Sequence, residues 1–314
     1  MSEISIGAAG VEDEMSEIIE LRQGAAFVRV APAVGGRITQ CRLSDADGQV
    51  FDVLHPYPEE HSELLRWAKG GMYPLVPYWG RIANAQLRHA GERIALCPHP
   101  DAVPHTLHGT AHQSQWQVVH RDDAHITLHL DKHSDAHWPW HYSAQLAMAL
   151  RPASLRVEIS VSNADVKPMP AGIGLHPYIH CHPSSRLQFT AHKCWVMTQD
   201  FLSLRPAAVD APDDFSADRS VGLEAFTHCY SEWEGGLRLG SGGDKSRPSL
   251  RIVASPELDH LVLHRPPNAP YICIEPVSHT ANAFNLAADG VADTGTRLLA
   301  PGQRLSGAVE FRLE

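Results

Sequence analysis

The chain has 314 residues, of which 43% are hydrophobic and 20% charged, and its net charge is -10 with histidine neutral. That charge argues against nucleic acid or an anionic membrane surface as the main partner, since both call for a basic face, and it weakly disfavours a highly phosphorylated substrate. The six cysteines, Cys41, Cys97, Cys181, Cys194, Cys229 and Cys273, form no CxxC pair, which excludes a zinc ribbon or a thioredoxin motif and fits a reducing cytoplasm.

In chain order, the N-terminal "MSEISIGAAGVEDEMSE" is acidic and lacks the apolar core of a signal peptide. No stretch reaches the ~18 apolar residues of a membrane span. The expectation is a cytoplasmic protein. Strand character begins in "AAFVRVAPAVGGRITQCRLS". "PEEHSELLRWAKG" (58–70) is the one stretch that reads as a helix, acidic at its front and stopped by glycines. "HITLHLDKH" (125–133) is strand-like, and "HYSAQLAMAL" (141–150) and "LRVEISVSN" (155–163) alternate with period two around a short turn, predicting a hairpin. "SLRIVAS" (249–255), "LVLHR" (261–265), "YICIEPV" (271–277) and "GAVEFRLE" (307–314) continue the pattern. Twenty-three prolines and 23 glycines spread along the chain match a fold with many turns. The polar loops 209–220 and 239–249 do not read as linkers, so the expectation is one all-β antiparallel domain over residues 1–314.

The 21 histidines raise the question of metal. "GLHPYIHCH" offers Gly174 and then His180-x-His182, the opening of a cupin metal motif, but no acid follows to complete a ligand set. The expectation is no metal. Four other stretches carry chemistry. "GGMYPLVPYWGRIANAQL" (70–87) places a lone Arg81 in an apolar, glycine- and proline-rich setting. A cation there needs a partner, either a structural ion pair or a substrate hydroxyl. "PHTLHGTAHQSQWQV" (104–118) puts His108 beside Gly109, where an imidazole can approach a ligand closely. "PMPAGIGLHPYIH" (168–180) sets His176 among apolar neighbours just before Pro177, and "YICIEPVSHTANAFNL" (271–286) sets Glu275 in a run of β-formers just before Pro276. A carboxylate and an imidazole, each at a strand end closed by proline, suit a general base and general acid.

Read together and in order, "PLVPYWGRIAN", "LHG…W", "PMPAGIGLHPY" and "IEPVSHTANAFNL" resemble the aldose 1-epimerase, or galactose mutarotase-like, family over nearly the whole chain, from about Gly35 to Pro301. The resemblance implies a β-supersandwich with an open cleft. It implies ring opening of an aldose, with Glu275 as the base at the anomeric hydroxyl and His176 as the acid at the ring oxygen. It also implies that Arg81, His108 and Tyr178 bind the sugar, without a metal or organic cofactor, in a monomer or homodimer. The chain departs from the family pattern twice. Gly80 stands where the family usually has asparagine, and Thr227 aligns with a family aspartate. These departures motivate one alternative on the same scaffold, a non-catalytic sugar-binding or sensor protein; a second is an isomerase or lyase acting on a modified sugar with the same acid–base pair. Trp79, Trp116, Trp138, Trp140, Trp195 and Trp233 are candidate stacking faces for sugar C–H groups, or else core residues.

Overall fold

The computed structural model describes residues 18–58, 69–211, 213–243 and 247–314. Most of the helix expected over 58–70 lies outside them. Among the described residues the fold is built on an 18-stranded sheet whose strands pair antiparallel, with two small two-stranded sheets beside it. This is the all-β supersandwich that the sequence implied.

The period-two segments fold as read. Tyr142–Arg151 and Ser154–Asn163 pair as a hairpin, with Leu146 opposite Ile159 and Met148 opposite Val157. Their inward residues are buried while alternate ones face outward, which is how a half-covered sheet sorts its two faces. Ser154–Asn163 continues into the C-terminal strand Arg304–Leu313, which in turn holds Leu250–Ala254.

The strand Tyr271–Val277 runs between His260–Arg265 on one side and Gly174–His180 on the other, and is buried at every position. Gly174–His180 also pairs with Met72–Leu75. Gly174 lies opposite Val277 and Tyr178 opposite Cys273, so the same register puts His176 across from Glu275. Two neighbouring strands thus join groups that are a hundred residues apart in the chain.

The prolines behave differently from expectation. Neither Pro177 nor Pro276 ends its strand; both strands run through them. The direct pairing of the two strands lapses between Gly174 and Tyr178, where Leu175, His176 and Pro177 pair instead with Pro74, Tyr73 and Met72. Proline has no N–H to offer a ladder, so a gap of this kind tolerates it. The gap also frees His176 and Glu275 to face a common space.

Candidate active site

His176 is 5% exposed and Glu275 is 2% exposed. His176 Nε2 lies 3.3 Å from Glu275 Oε1. The imidazole is flanked by two rings, Tyr73 with ring centres 4.6 Å apart and Tyr178 at 4.9 Å. Behind Tyr73 the buried Arg37 guanidinium sits 4.5 Å from the ring centre, a cation–π contact, and donates to the Gly70 carbonyl. Burial pushes the Glu275 carboxyl up to about 8, and the Trp79 N–H pulls it partly back. Burial likewise holds His176 well below the usual histidine range, and the neighbouring Arg37 charge adds to that. In the resting site both effects favour a carboxylic acid beside a neutral imidazole.

The turn at 76–82 supplies the next layer. Trp79 Nε1 donates to Glu275 Oε2 at 2.8 Å, so one carboxylate oxygen is held and the other faces His176. Trp79 is itself held by His279: the Trp79 backbone N–H donates to His279 Nε2 at 3.1 Å, while His279 Nδ1 bonds the Thr280 carbonyl at 2.7 Å. A carbonyl can only accept, so Nδ1 carries the hydrogen and Nε2 is the acceptor. Burial brings His279 down to about 4, which keeps that arrangement neutral. The motif around Glu275 also secures the turn elsewhere. Asn282 accepts from the Ala83 N–H, and Asn285 accepts from the Arg88 N–H and donates to the Gln86 carbonyl.

His108 and Gly80 bond reciprocally. The His108 N–H donates to the Gly80 carbonyl at 2.8 Å, and the Gly80 N–H donates to His108 Nδ1 at 3.1 Å. A neutral His108 therefore carries its hydrogen on Nε2. Burial, with help from nearby histidines, keeps it neutral. Gly109 has φ +68°, and a Cβ there would fall 2.4 Å from the Val76 carbonyl oxygen. Only glycine lets the 108–111 turn press against the 76–80 turn this closely.

These groups surround a cavity of about 210 Å³, lined by Trp79, Gly80, Arg81, His108, His176, Tyr178 and Glu275. At about 30 Å³ per water it has room for roughly seven waters. Lys69, Asp101, Leu107, Met197, Phe201, Thr227, Val262, His264 and Tyr271 complete its wall. All five sequence-predicted site residues, Glu275, His176, Arg81, His108 and Tyr178, line this one space. Arg81 is half-buried rather than buried. Its guanidinium donates to the Asp200 carbonyl at 2.5 Å and lies 5.0 Å from the Phe201 ring centre, so the partner that its apolar setting demanded comes from the protein.

The tryptophans divide. Trp79 reaches the cavity, whereas Trp116, Trp138, Trp140, Trp195 and Trp233 are core residues at 4% exposure or less. The indole N–H groups of Trp116, Trp195 and Trp233 are taken up by Ala111, Ser231 and Gly236. His182 bonds Ser184, and among the described residues His180 and His182 join no cluster of metal-ligating groups.

A family model described as aldose 1-epimerase matches residues 17–312. The chain belongs to the aldose 1-epimerase family. It is 24% identical over 290 residues to the uncharacterized Escherichia coli protein YphB, a match covering 87% of this chain and 94% of that one. In fold it is similar to a putative aldose 1-epimerase from E. coli, with a TM-score of 0.80 and 22% identity over 95% of this chain and 99% of that one. It is similar as well to a galactose mutarotase-like protein from Clostridium acetobutylicum, with a TM-score of 0.80 and 18% identity over 95% of each chain.

Within this epimerase-family site, the two departures from the family pattern have local explanations. Gly80 has φ +69°, a left-handed conformation that glycine and asparagine both adopt readily, so the backbone turn survives the exchange. Thr227 shares the wall with His264, and its hydroxyl bonds His264 Nδ1 at 2.8 Å. Burial brings His264 down to about 4, so this corner of the epimerase-family cavity carries a neutral hydrogen-bonded pair. Sequence reading missed His264, Phe201, Lys69 and the role of the Trp79 N–H. Only the last had an available signal: an indole two residues before Arg81 in a motif already singled out.

Proposed function

We propose that this protein is an aldose 1-epimerase that interconverts the α and β anomers of a sugar by acid–base ring opening, the residues 1–314 acting as one domain. What carries the reading is the 3.3 Å contact between His176 and Glu275 on the floor of a cavity sized for one monosaccharide. The resting pair, carboxylic acid and neutral imidazole, holds the same number of protons as carboxylate and imidazolium. One proton transfer across the contact converts the first into the second, and the hydrogen-bonding groups of a bound sugar favour the charged form.

In that form Glu275 takes the proton from the anomeric hydroxyl and His176 gives one to the ring oxygen. The bond between the anomeric carbon and the ring oxygen breaks, leaving an aldehyde and a free hydroxyl. Rotation about the bond next to the aldehyde exposes its other face, and the same two groups run the steps backwards to close the ring. Each group contributes on the order of 10²–10⁴-fold, which suits a reaction that already proceeds slowly in water. His108, with its hydrogen on Nε2, donates to a sugar oxygen. Arg81 and Tyr178 close over the remaining hydroxyls. The reaction needs no cofactor.

The test is anomer exchange, followed by polarimetry or NMR, on fresh α-anomers of hexoses, pentoses, 6-deoxy sugars and uronic acids. At least one sugar relaxes faster with the protein, and the acceleration vanishes in Glu275→Gln. Binding without acceleration on every sugar refutes catalysis and leaves a sensor. Formation of a new compound refutes it in favour of an isomerase or lyase.

A further inference from the structure

Cys273 is a buried nucleophile that the proposed reaction does not use. It stands two residues before Glu275 on the same strand face, opposite Tyr178, and is 0% exposed. Its thiol, an imidazole nitrogen of His176 and a carboxylate oxygen of Glu275 all lie within 4.8 Å of one another. Sulfur, nitrogen and oxygen from three side chains form a donor set that zinc accepts. A thiolate and a carboxylate together cancel the two charges of a divalent ion, so a metal here leaves no uncompensated buried charge. A tetrahedral zinc with bonds of about 2.0 Å to nitrogen and oxygen and about 2.3 Å to sulfur spaces its ligand atoms roughly 3.3–3.5 Å apart. The His176–Glu275 gap is already 3.3 Å, and the thiol closes the remainder by side-chain rotation. The Trp79 N–H holds the second oxygen of Glu275 at 2.8 Å, as an outer hydrogen bond orients a metal-bound carboxylate. His176 and Glu275 both line the cavity, so the fourth coordination position opens towards it.

We propose that Cys273, His176 and Glu275 form a zinc site overlapping the sugar site, so that zinc and substrate exclude each other and the ion switches the protein off. The switching half of this rests on the proposed function; the binding half does not.

The experiment separates the two. Zinc is titrated calorimetrically into the metal-free protein, and cobalt(II) is added in parallel as a spectroscopic probe. Wild type takes up cobalt with a thiolate-to-cobalt charge-transfer absorption. Cys273→Ser loses that absorption, binds zinc at least tenfold more weakly and keeps its anomer exchange in metal-free buffer, now insensitive to zinc. Glu275→Gln, which removes the other anionic ligand, also binds zinc at least tenfold more weakly. Zinc affinity unchanged in both variants, or a charge-transfer band that persists in Cys273→Ser, overturns the site. Zinc binding that depends on Cys273 but leaves anomer exchange untouched overturns the switch. Cobalt binding as expected in a protein that exchanges no sugar leaves the site standing and removes the proposed function instead.

Discussion

Replacing Glu275 with glutamine exposes what the site costs the fold. Burial raises the Glu275 carboxyl from about 4.5 to about 8. The folded state therefore binds this proton more tightly than the unfolded one. The resulting stability is fully present below about pH 4.5 and is lost as pH rises through about 8. At about 1.4 kcal/mol for each tenfold change, the loss amounts to about 3 kcal/mol at pH 7 and about 5 kcal/mol at pH 9. Glutamine has no proton to lose. Its carbonyl still accepts from the Trp79 N–H and its amide still faces His176, so the packing is retained. Urea unfolding of both proteins at pH 5, 7 and 9, at fixed ionic strength, reads the difference directly. Glu275→Gln gains little at pH 5, about 3 kcal/mol at pH 7 and about 5 kcal/mol at pH 9, while its anomer exchange collapses. A difference that stays flat with pH, or a wild type that is the more stable protein at pH 9, refutes the claim that burial destabilises the Glu275 charge.

Other outcomes follow from the same geometry. His176→Asn lowers kcat for anomer exchange by about 10²–10⁴-fold with a smaller effect on KM, because asparagine keeps a hydrogen-bonding group beside Glu275 but has no proton to give to a ring oxygen. Trp79→Phe removes the hydrogen bond that lowers Glu275, so its carboxyl rises beyond about 8 and the base limb of the pH–rate profile moves to higher pH. His279→Ala leaves the Trp79 N–H without its acceptor and lowers stability by about 1–3 kcal/mol, measured by denaturant unfolding, and lowers kcat with it. Burial depresses His112 to about 3 and His279 to about 4. Their stabilising effect is present above the ordinary histidine value of about 6.5 and lost as pH falls through the folded values. At pH 4.5 each costs about 2.5 kcal/mol, and circular dichroism during acid titration records early, cooperative unfolding.

The motifs "PYWGRIAN" and "EPVSHTANAFN" were legible as a pair through their resemblance to the aldose 1-epimerase family, and in the structure they hold one another. His279 and Asn282 of the second segment accept from the backbone N–H groups of Trp79 and Ala83 in the first, and Asn285 accepts from that of Arg88 just beyond it. His176 and Glu275 stood out for a related reason: an ionisable group in a buried strand is expensive, and the sequence displays the expense. His264 and Phe201 gave no such sign, since each reads as an ordinary strand or loop residue until the sheet closes around it.

Local pattern by itself determined the strands and their inward faces, because alternation of apolar and polar residues is a property of neighbours in the chain. The prolines show its limit. Chain chemistry says that proline stops a ladder, yet here Pro177 stays opposite Met72 and Pro276 opposite Leu261, and both strands pass through. Which tryptophan meets the cavity, how Arg81 is partnered, and the inverted protonation preference of Glu275 and His176 were decided only by the tertiary structure. All three depend on how much water the assembled sheet excludes, and no stretch of sequence fixes that on its own.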